Sequence, residues 1–240
     1  MIAADLNGNG IDELVVPQQS KITVFIDGDR DVRVDDTDVN SGYGLDNVDL
    51  FGNDNEELIV ADSSGNIRIM SLSSDESSLI THQEWNSGYT MNAGGGVTVS
   101  MNGHDNPWII HGGDAGVLVA WEIPSQSQHS LVWKSESGSN GDQTLYSLEG
   151  GNNYAVAMGN IDDDDNLEIL VGAGGSGFGR VYAFDGKTYE TDWVSPNLNK
   201  LPMGIAVGDL NNDGDNEIVV VTGIPGEPMV EDEGGDGYLH

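Results

Sequence analysis

The sequence predicts an all-β fold, a β-propeller made of four-stranded antiparallel blades, and three observations support this prediction. An acidic loop followed by an aliphatic strand recurs along the chain at intervals of 44 to 60 residues. The 240 residues include 34 glycines, a composition typical of short strands joined by tight turns. A Trp-x-Ser motif recurs at a second point of the same period. Repeats of this length are typical of propeller blades.

The acidic loop is nine residues long, and its three clearest copies begin at residues 5, 160 and 209. All three place oxygen-bearing side chains at loop positions 1, 3, 5 and 9, and each runs into a short aliphatic strand. Two weaker copies begin at residues 49 and 100. We therefore expect a single domain, or a fragment of one, over residues 1–240, with four complete repeats and part of a fifth.

Each repeat can be divided into four strands. In the fourth repeat the predicted strands are Tyr154 to Met158, Glu168 to Val171, Arg180 to Phe184 and Thr191 to Val194, separated by glycine-rich turns. The Trp-x-Ser motifs begin at Trp85, Trp133 and Trp193, near the end of a repeat. We expect these tryptophans to pack between blades.

The loop composition favours a calcium site. Calcium takes six to eight oxygen ligands, and an all-oxygen set disfavours soft metals. Alternate residues of a tight loop point inward, so positions 1, 3 and 5 offer side chains, position 7 a carbonyl and position 9 an acid. The predicted ligands are Asp5, Asn7, Asn9, Ile11 and Glu13 in loop one, Asn160, Asp162, Asp164, Asn166 and Glu168 in loop four, and Asp209, Asn211, Asp213, Asp215 and Glu217 in loop five.

The other two loops depart from this pattern. Loop two offers Asp49, Asn53, Asn55 and Glu57 as weaker candidates, because Phe51 occupies position 3. Loop three has Ser100, Asn102, His104 and Trp108 where acids stand elsewhere. We therefore expect about three calcium ions, in loops one, four and five, with weak or no binding in loops two and three.

The charge balance narrows the range of partners. The chain has 41 Asp and Glu against 8 Lys and Arg, a formal net charge of -33, which repels nucleic acid and anionic lipid and attracts cations. Cysteine is absent, which excludes disulfides and a catalytic thiol. No apolar run approaches the length of a membrane span, so we expect no membrane insertion. The excess of acids also suggests adaptation to high salt.

The motif Asp-x-Asp/Asn-x-Asp/Asn-Gly-x-x-Asp/Glu before an aliphatic strand is complete at residues 5–13 and 209–217. Val171-Gly172-Ala173 and Phe178-Gly179 add Gly-Ala and Phe-Gly elements. In these features the chain resembles the FG-GAP/VCBS repeat family, the units of integrin-α-type propellers. The resemblance implies seven or eight blades, calcium in loops on one face, and an extracellular or cell-surface role in adhesion or ligand binding.

Three functions follow as hypotheses. The first is a non-enzymatic, calcium-stabilised module that binds a protein or carbohydrate ligand, with the metal acting structurally. The second is an enzyme, because polysaccharide lyases of the rhamnogalacturonan type also resemble calcium-bearing propellers. The third is a structural spacer or assembly subunit, which would self-associate through propeller edges or pack with the rest of a longer chain.

Overall fold

The computed structural model describes residues 1–18, 20–29, 33–36, 42–89, 97–100, 106–112, 117–135, 152–162, 164, 166–175 and 178–223. Eighteen β-strands lie in these ranges and form five antiparallel sheets, four of them four-stranded and the last two-stranded. The predicted all-β propeller fold is confirmed. Residues 101–105 of loop three, Asp163 and Asp165 of loop four, and residues 224–240 of the fifth repeat lie outside the described residues.

The strands follow chain order within each sheet, which we call a blade. Blade one contains β1 (Ile2–Ala4), β2 (Glu13–Gln18), β3 (Lys21–Phe25) and β4 (Arg33–Asp36), with a 3-10 turn at Ile26–Gly28. Blade two contains β5 (Gly42–Val48), β6 (Glu57–Asp62), β7 (Asn66–Leu72) and β8 (Leu79–Asn86). Blade three contains β9 (Val97–Ser100), β10 (Trp108–Gly112), β11 (Leu118–Ser125) and β12 (Gln128–Lys134). Blade four contains β13 (Asn152–Gly159), β14 (Glu168–Gly175), β15 (Phe178–Asp185) and β16 (Thr191–Val194), and blade five contains β17 (Leu201–Gly208) and β18 (Glu217–Gly223).

The four strands predicted for the fourth repeat coincide with β13 to β16, although the structure lengthens three of them by a few residues. The acidic loop joins the first and second strands of its blade. In an antiparallel blade the connection between strands one and two and the connection between strands three and four lie at the same end. The acidic loops therefore share one end of the molecule with the β3–β4, β7–β8 and β15–β16 turns.

The hydrophobic core lies between blades. Every residue of β6 is buried, because its alternating side chains enter two different interfaces. Leu58 and Val60 pack with Val15 and Val24 of blade one, whereas Ile59 packs on the opposite face of the sheet with residues of blade three. Two further apolar layers join blades three and four, and blades four and five. Loop two is thus anchored by a strand that is buried on both faces.

The Trp-x-Ser motif closes a blade and joins it to the next. Within their own blades, the Oγ atoms of Ser135 and Ser195 accept the backbone N–H groups of Leu118 on β11 and Val181 on β15, both at 2.9 Å. Trp85 stacks on His129 of blade three, with ring centroids 4.3 Å apart. Trp133 stacks on Tyr189 of blade four at 4.8 Å. These two tryptophans lie between blades, as expected from the sequence.

Within the described ranges, no helix combines the length and the apolar composition needed to cross a membrane.

Candidate metal centre

One hydrogen bond is common to loops one, two, four and five. The backbone N–H of position 2 donates to Oε2 of the glutamate at position 9, which begins the second strand of the blade. The four pairs are Leu6 to Glu13 at 2.8 Å, Leu50 to Glu57 at 2.9 Å, Ile161 to Glu168 at 2.7 Å and Leu210 to Glu217 at 2.8 Å. The glutamate carboxylate at position 9 is therefore fixed by a backbone hydrogen bond in all four loops, independently of any bound cation.

In loops one and five, the second oxygen of this glutamate is satisfied by an amide. Asn7 donates from Nδ2 to Oε1 of Glu13 at 3.2 Å, and Asn211 does the same for Glu217 at 3.0 Å. At position 6, Gly10 and Gly214 adopt left-handed φ angles of 82° and 99°, which glycine tolerates without strain. The two loops therefore have closely similar geometry.

In these two loops the aspartate at position 1 accepts backbone N–H groups. Asp5 accepts from Asn9 at 3.0 Å and from Gly10 at 2.8 Å. Asp209 accepts from the equivalent Asp213 and Gly214, at 3.2 and 3.0 Å. The side chains at positions 3 and 9 are therefore in direct contact in each loop, and the side chain at position 1 holds the backbone of positions 5 and 6. An all-oxygen donor set of this kind suits calcium.

Loop four differs because position 3 is an aspartate. One carboxylate oxygen from each of Asp162, Asp164 and Glu168 lies within 4.8 Å of the others. Glu168 is 1% exposed, and its Oε1 is buried without a hydrogen-bond partner among the described residues. A carboxylate at position 3 has no proton to donate to Oε1, whereas the asparagine of loops one and five does. This orphaned oxygen and the two aspartates form a donor set that a hard cation fits.

The remaining predicted ligands of loop four surround this cluster. Asn160 accepts the N–H of Asp162 through Oδ1 at 3.2 Å and donates from Nδ2 to the carbonyl of Asp164. Asn166 donates from Nδ2 to Oδ2 of Asp164 at 2.8 Å. The structure thus brings the predicted ligands of loop four together, with Asn160 and Asn166 bonded within the loop.

Loop two lacks an oxygen donor at position 3. Phe51 packs in the apolar layer between blades two and three and meets the ring of His82 edge-on, with centroids 5.6 Å apart. Asp49 accepts the N–H groups of Gly52 and Asp54 at 2.7 and 3.1 Å, so the loop keeps its turn. Loop two has therefore kept the fold of the repeat while losing one of its cation ligands.

Comparison with protein families gives one match, and this match includes the carboxylate cluster of loop four. The model of the FG-GAP-like repeat matches residues 160–220, from the first residue of loop four into β18. This part of the chain is therefore similar to the FG-GAP-like repeat. It holds both the carboxylate cluster of loop four and the complete motif of loop five. No curated protein sequence matches the chain.

Solved structures similar to this chain are β-propellers or share their blade architecture. The Dos1 propeller aligns with 88% of this chain at 13% identity and a TM-score of 0.55. BBS1N, solved in complex with ARL6DN, aligns with 92% at 12% identity and a TM-score of 0.61. The computationally designed Ika8 protein aligns with 88% at 14% identity and a TM-score of 0.51. The chain spans 50%, 60% and 52% of these three structures, and the likeness shows the fold.

The pKa shifts around loop four agree with the close approach of its carboxylates. Burial raises the pKa of Glu168, and the neighbouring charges of Asp162 and Asp164 raise it further. Burial, followed by the charges of Asp162, Asp185 and Asp164, also raises the pKa of Asp192 on β16. These shifts show carboxylates that repel one another, an arrangement that a cation relieves.

In loop two, burial is the main cause of the pKa shift of the glutamate at position 9. It raises the pKa of Glu57 to about 7, against the hydrogen bond from Leu50 that lowers it, while the charge of Asp49 raises it further. Glu57 is 1% exposed. This glutamate therefore takes up a proton near neutral pH, whereas Glu168 has a cluster of acids around it.

Several residues near the loops were not predicted from the sequence. Asp27 accepts Nδ2 of Asn9 at 2.8 Å, and its N–H donates to Glu13 at 3.4 Å. Asp192 lies near loop four, as its pKa shift shows. Both stand in or beside the connection between strands three and four. Acids in these turns could have been considered, because the antiparallel order places both connections at the same end of a blade.

Proposed function

We propose that this protein is a calcium-stabilised β-propeller module that binds a ligand or partner outside the cell and is not an enzyme. The observation that supports calcium best is the orphaned Oε1 of Glu168, buried beside Asp162 and Asp164. A buried carboxylate oxygen without a partner costs free energy, and a hard cation removes that cost.

The metal has a structural role in this proposal. Clustered carboxylates oppose folding unless a cation neutralises them. A cation that binds only the native state stabilises it by about 2.7 kcal/mol per site when free calcium is a hundredfold above the dissociation constant. In a chain that has no cysteine, such sites replace disulfides as stabilising links between segments.

Loops one and five are the other proposed sites. Their carboxylates Asp5, Glu13, Asp209 and Glu217 stand at the same positions as ligands of the motif. Rotation of the amides of Asn7 and Asn211 replaces Nδ2 by Oδ1 at the loop centre, which converts a hydrogen-bond donor into a cation ligand. These sites therefore exchange an internal hydrogen bond for the metal.

Ligand binding and an extracellular location are proposed from the fold and the charge. The similar BBS1N structure was solved in complex with ARL6DN, so a propeller of this kind can hold a protein partner. The net charge of -33 opposes nucleic acid as the partner and favours cationic or metal-bridged ligands. A protein or a carbohydrate remains the proposed ligand class.

The contacts of two histidines support a non-enzymatic role. His111 is fully buried, accepts Nε1 of Trp121 at 3.2 Å, and has a pKa lowered by burial to about 4. His129 stacks on Trp85 and lies 3.1 Å from Oε1 of Gln83. His111 is therefore part of the core, and His129, although exposed, packs against the buried ring of Trp85. Appearance of unsaturated products on incubation with pectic polysaccharides would contradict this part of the proposal.

Calcium titration tests the metal. Chelator-treated protein is titrated with calcium by calorimetry, and its unfolding is followed with and without calcium at constant ionic strength. We expect heat from about three sites and a raised midpoint of unfolding, with Glu168→Gln losing one class of sites. Magnesium at equal concentration controls for charge alone, because it demands tighter octahedral geometry. A silent titration with an unchanged midpoint would overturn the proposal.

A further inference from the structure

The loops of blades four and five face each other across a cleft of about 620 Å³. Blade four contributes the first residues of loop four to this cleft, and blade five contributes the second half of loop five. The lining residues are Asn160, Ile161, Asp162, Asp164, Gly214, Asp215 and Asn216. Two carboxylates of the loop-four cluster therefore open towards a neighbouring blade that carries a third carboxylate, Asp215.

A hydrogen bond crosses this cleft. Asn216, at position 8 of loop five, donates from Nδ2 to the backbone carbonyl of Asn160, at position 1 of loop four, at 2.8 Å. Asn160 in turn accepts the N–H of Asp162 through its side chain at 3.2 Å. Blade five thus holds the main chain at the start of the loop-four cluster.

The same relation occurs between loops one and two. Glu56, at position 8 of loop two, donates its N–H to the carbonyl of Asp5, and Asp5 donates its N–H to Glu56, both at 2.9 Å. At position 7, Asn55 lies over loop one, where a Cβ on Gly8 would come within 2.2 Å of the Asn55 Oδ1. Position 8 of one loop therefore contacts the preceding loop at both junctions, and position 7 lies against the preceding loop at the first junction and lines the cleft at the second.

We propose that the cation site of loop four is shared between two blades, with Asp215 supplying a carboxylate from blade five and Asn216 fixing the position of Asn160. The inference rests on the proposed calcium function and extends it. The predicted loop-five site uses the backbone carbonyl of position 7, which leaves the side chain of Asp215, a residue that lines the cleft, available to the preceding loop. Among the described residues, Oε1 of Glu168 is a buried oxygen without a hydrogen-bond partner, so this cluster offers it to a cation.

A shared site ties the two blades together. Blade five has two described strands, and its contact with blade four is a small apolar layer around Leu170, Val181 and Ala183. A cation bound by residues of both blades adds a polar link at the end of this layer. Calcium therefore holds blade five against blade four, in addition to stabilising loop four.

Calorimetric titration of full-length variants with calcium tests this inference. The class of sites that Glu168→Gln removes is assigned to loop four. We expect Asp215→Asn to weaken that class by about tenfold and Asn216→Ala to weaken it several-fold, in line with the effect of removing groups that orient metal ligands. Asp12→Asn is the matched control, because Asp12 is at position 8 of loop one and is exposed. We expect it to change the same class by less than about twofold.

The outcomes separate the two proposals. Wild-type protein that binds no calcium would overturn the proposed function. If Glu168→Gln removes a class of sites but Asp215→Asn and Asn216→Ala leave that class unchanged, only the shared site is wrong. The unfolding midpoint of each variant in chelator checks that it folds. If Asp215→Asn fails to fold, Asp215→Ser, which also removes the carboxylate, is measured in its place. Unchanged affinity in that variant and in Asn216→Ala would contradict the inference.

Discussion

Loop four and loop one place a buried glutamate at the same position, but they differ in what its second oxygen contacts. In loop one, Nδ2 of Asn7 donates to Oε1 of Glu13 at 3.2 Å. In loop four, Asp162 occupies the position of Asn7, and Oε1 of Glu168 has no partner. A single atom at position 3, amide nitrogen or carboxylate oxygen, thus decides whether the loop satisfies its own glutamate.

Loop two adds a third arrangement. Phe51 at position 3 packs in the core, and burial raises the pKa of Glu57 to about 7. The glutamate at position 9 is therefore paired with an amide in loops one and five, has a pKa raised by burial in loop two and, in our proposal, binds a cation in loop four. The residue at position 3 determines which of these applies.

The largest expected effect concerns the proton of loop two. The pKa of Glu57 is about 7 in the folded protein against an ordinary 4.5, so the native state binds this proton more tightly. The contribution of Glu57 to stability is present in full below pH 4.5 and is lost as the pH rises through 7. We expect a loss of up to about 3 kcal/mol from this group in wild type, and none in Glu57→Gln.

Urea unfolding at pH 4.5 and pH 8.5 measures this difference, with Glu190→Gln on the exposed β15–β16 turn as the control for removal of one negative charge. The free energy of unfolding of Glu57→Gln and Glu190→Gln could change with pH as it does in wild type. Glu57 would then take up no proton in the folded protein, and loop two would not differ from the other loops in this way.

The next effect is expected from Asp162→Asn, which gives loop four the amide of loop one. In chelator, the free energy of unfolding should rise by about 1–2 kcal/mol, because Oε1 of Glu168 gains a donor. The added stability from calcium should fall by up to about 2.7 kcal/mol at a hundredfold excess. Thermal unfolding with and without calcium measures both. An unchanged response to calcium would show that loop four is not the principal site.

Asn7→Asp is the mirror substitution and gives loop one the carboxylate of loop four. We expect it to lower the free energy of unfolding in chelator by about 1–2 kcal/mol, because Oε1 of Glu13 loses its amide donor. Calcium should restore this loss. The same two unfolding experiments apply, and a variant that loses stability equally in calcium and in chelator would refute the equivalence of the two loops.

Monovalent salt is expected to have the smallest and least specific effect. Screening at 1 M salt shortens the Debye length to about 3 Å and weakens repulsion across the acidic surface. We expect the unfolding midpoint in chelator to rise by a similar amount, a few degrees, in wild type and Asp162→Asn. A rise confined to wild type would mean that sodium acts in loop four itself.

Much of this arrangement follows from the sequence. Position 9 glutamates before aliphatic runs predicted the second strand of blades one, two, four and five, and β14 and β18 begin at Glu168 and Glu217. The alternation of Leu58 and Ile59 between two interfaces explains why these strands have continuous aliphatic runs. The repeat fixes local structure because loop and strand are neighbours in the chain.

The remaining features depend on contacts between distant residues. Asn216 reaches Asn160 across 56 positions, and Glu56 reaches Asp5 across 51. Sequence spacing within one loop carries no signal of such pairs. The motif also treats asparagine and aspartate at position 3 as equal, whereas Asn7 and Asp162 have opposite effects on the buried glutamate. Hydrogen-bond geometry was needed to separate them.

A crystal structure determined in calcium would test the central claim most directly. We predict an ion between Asp162, Asp164 and Glu168, with Oε1 of Glu168 about 2.3–2.6 Å from it. A structure at saturating calcium in which Oε1 of Glu168 contacts a water or a side chain, with no ion in loop four, would contradict the account.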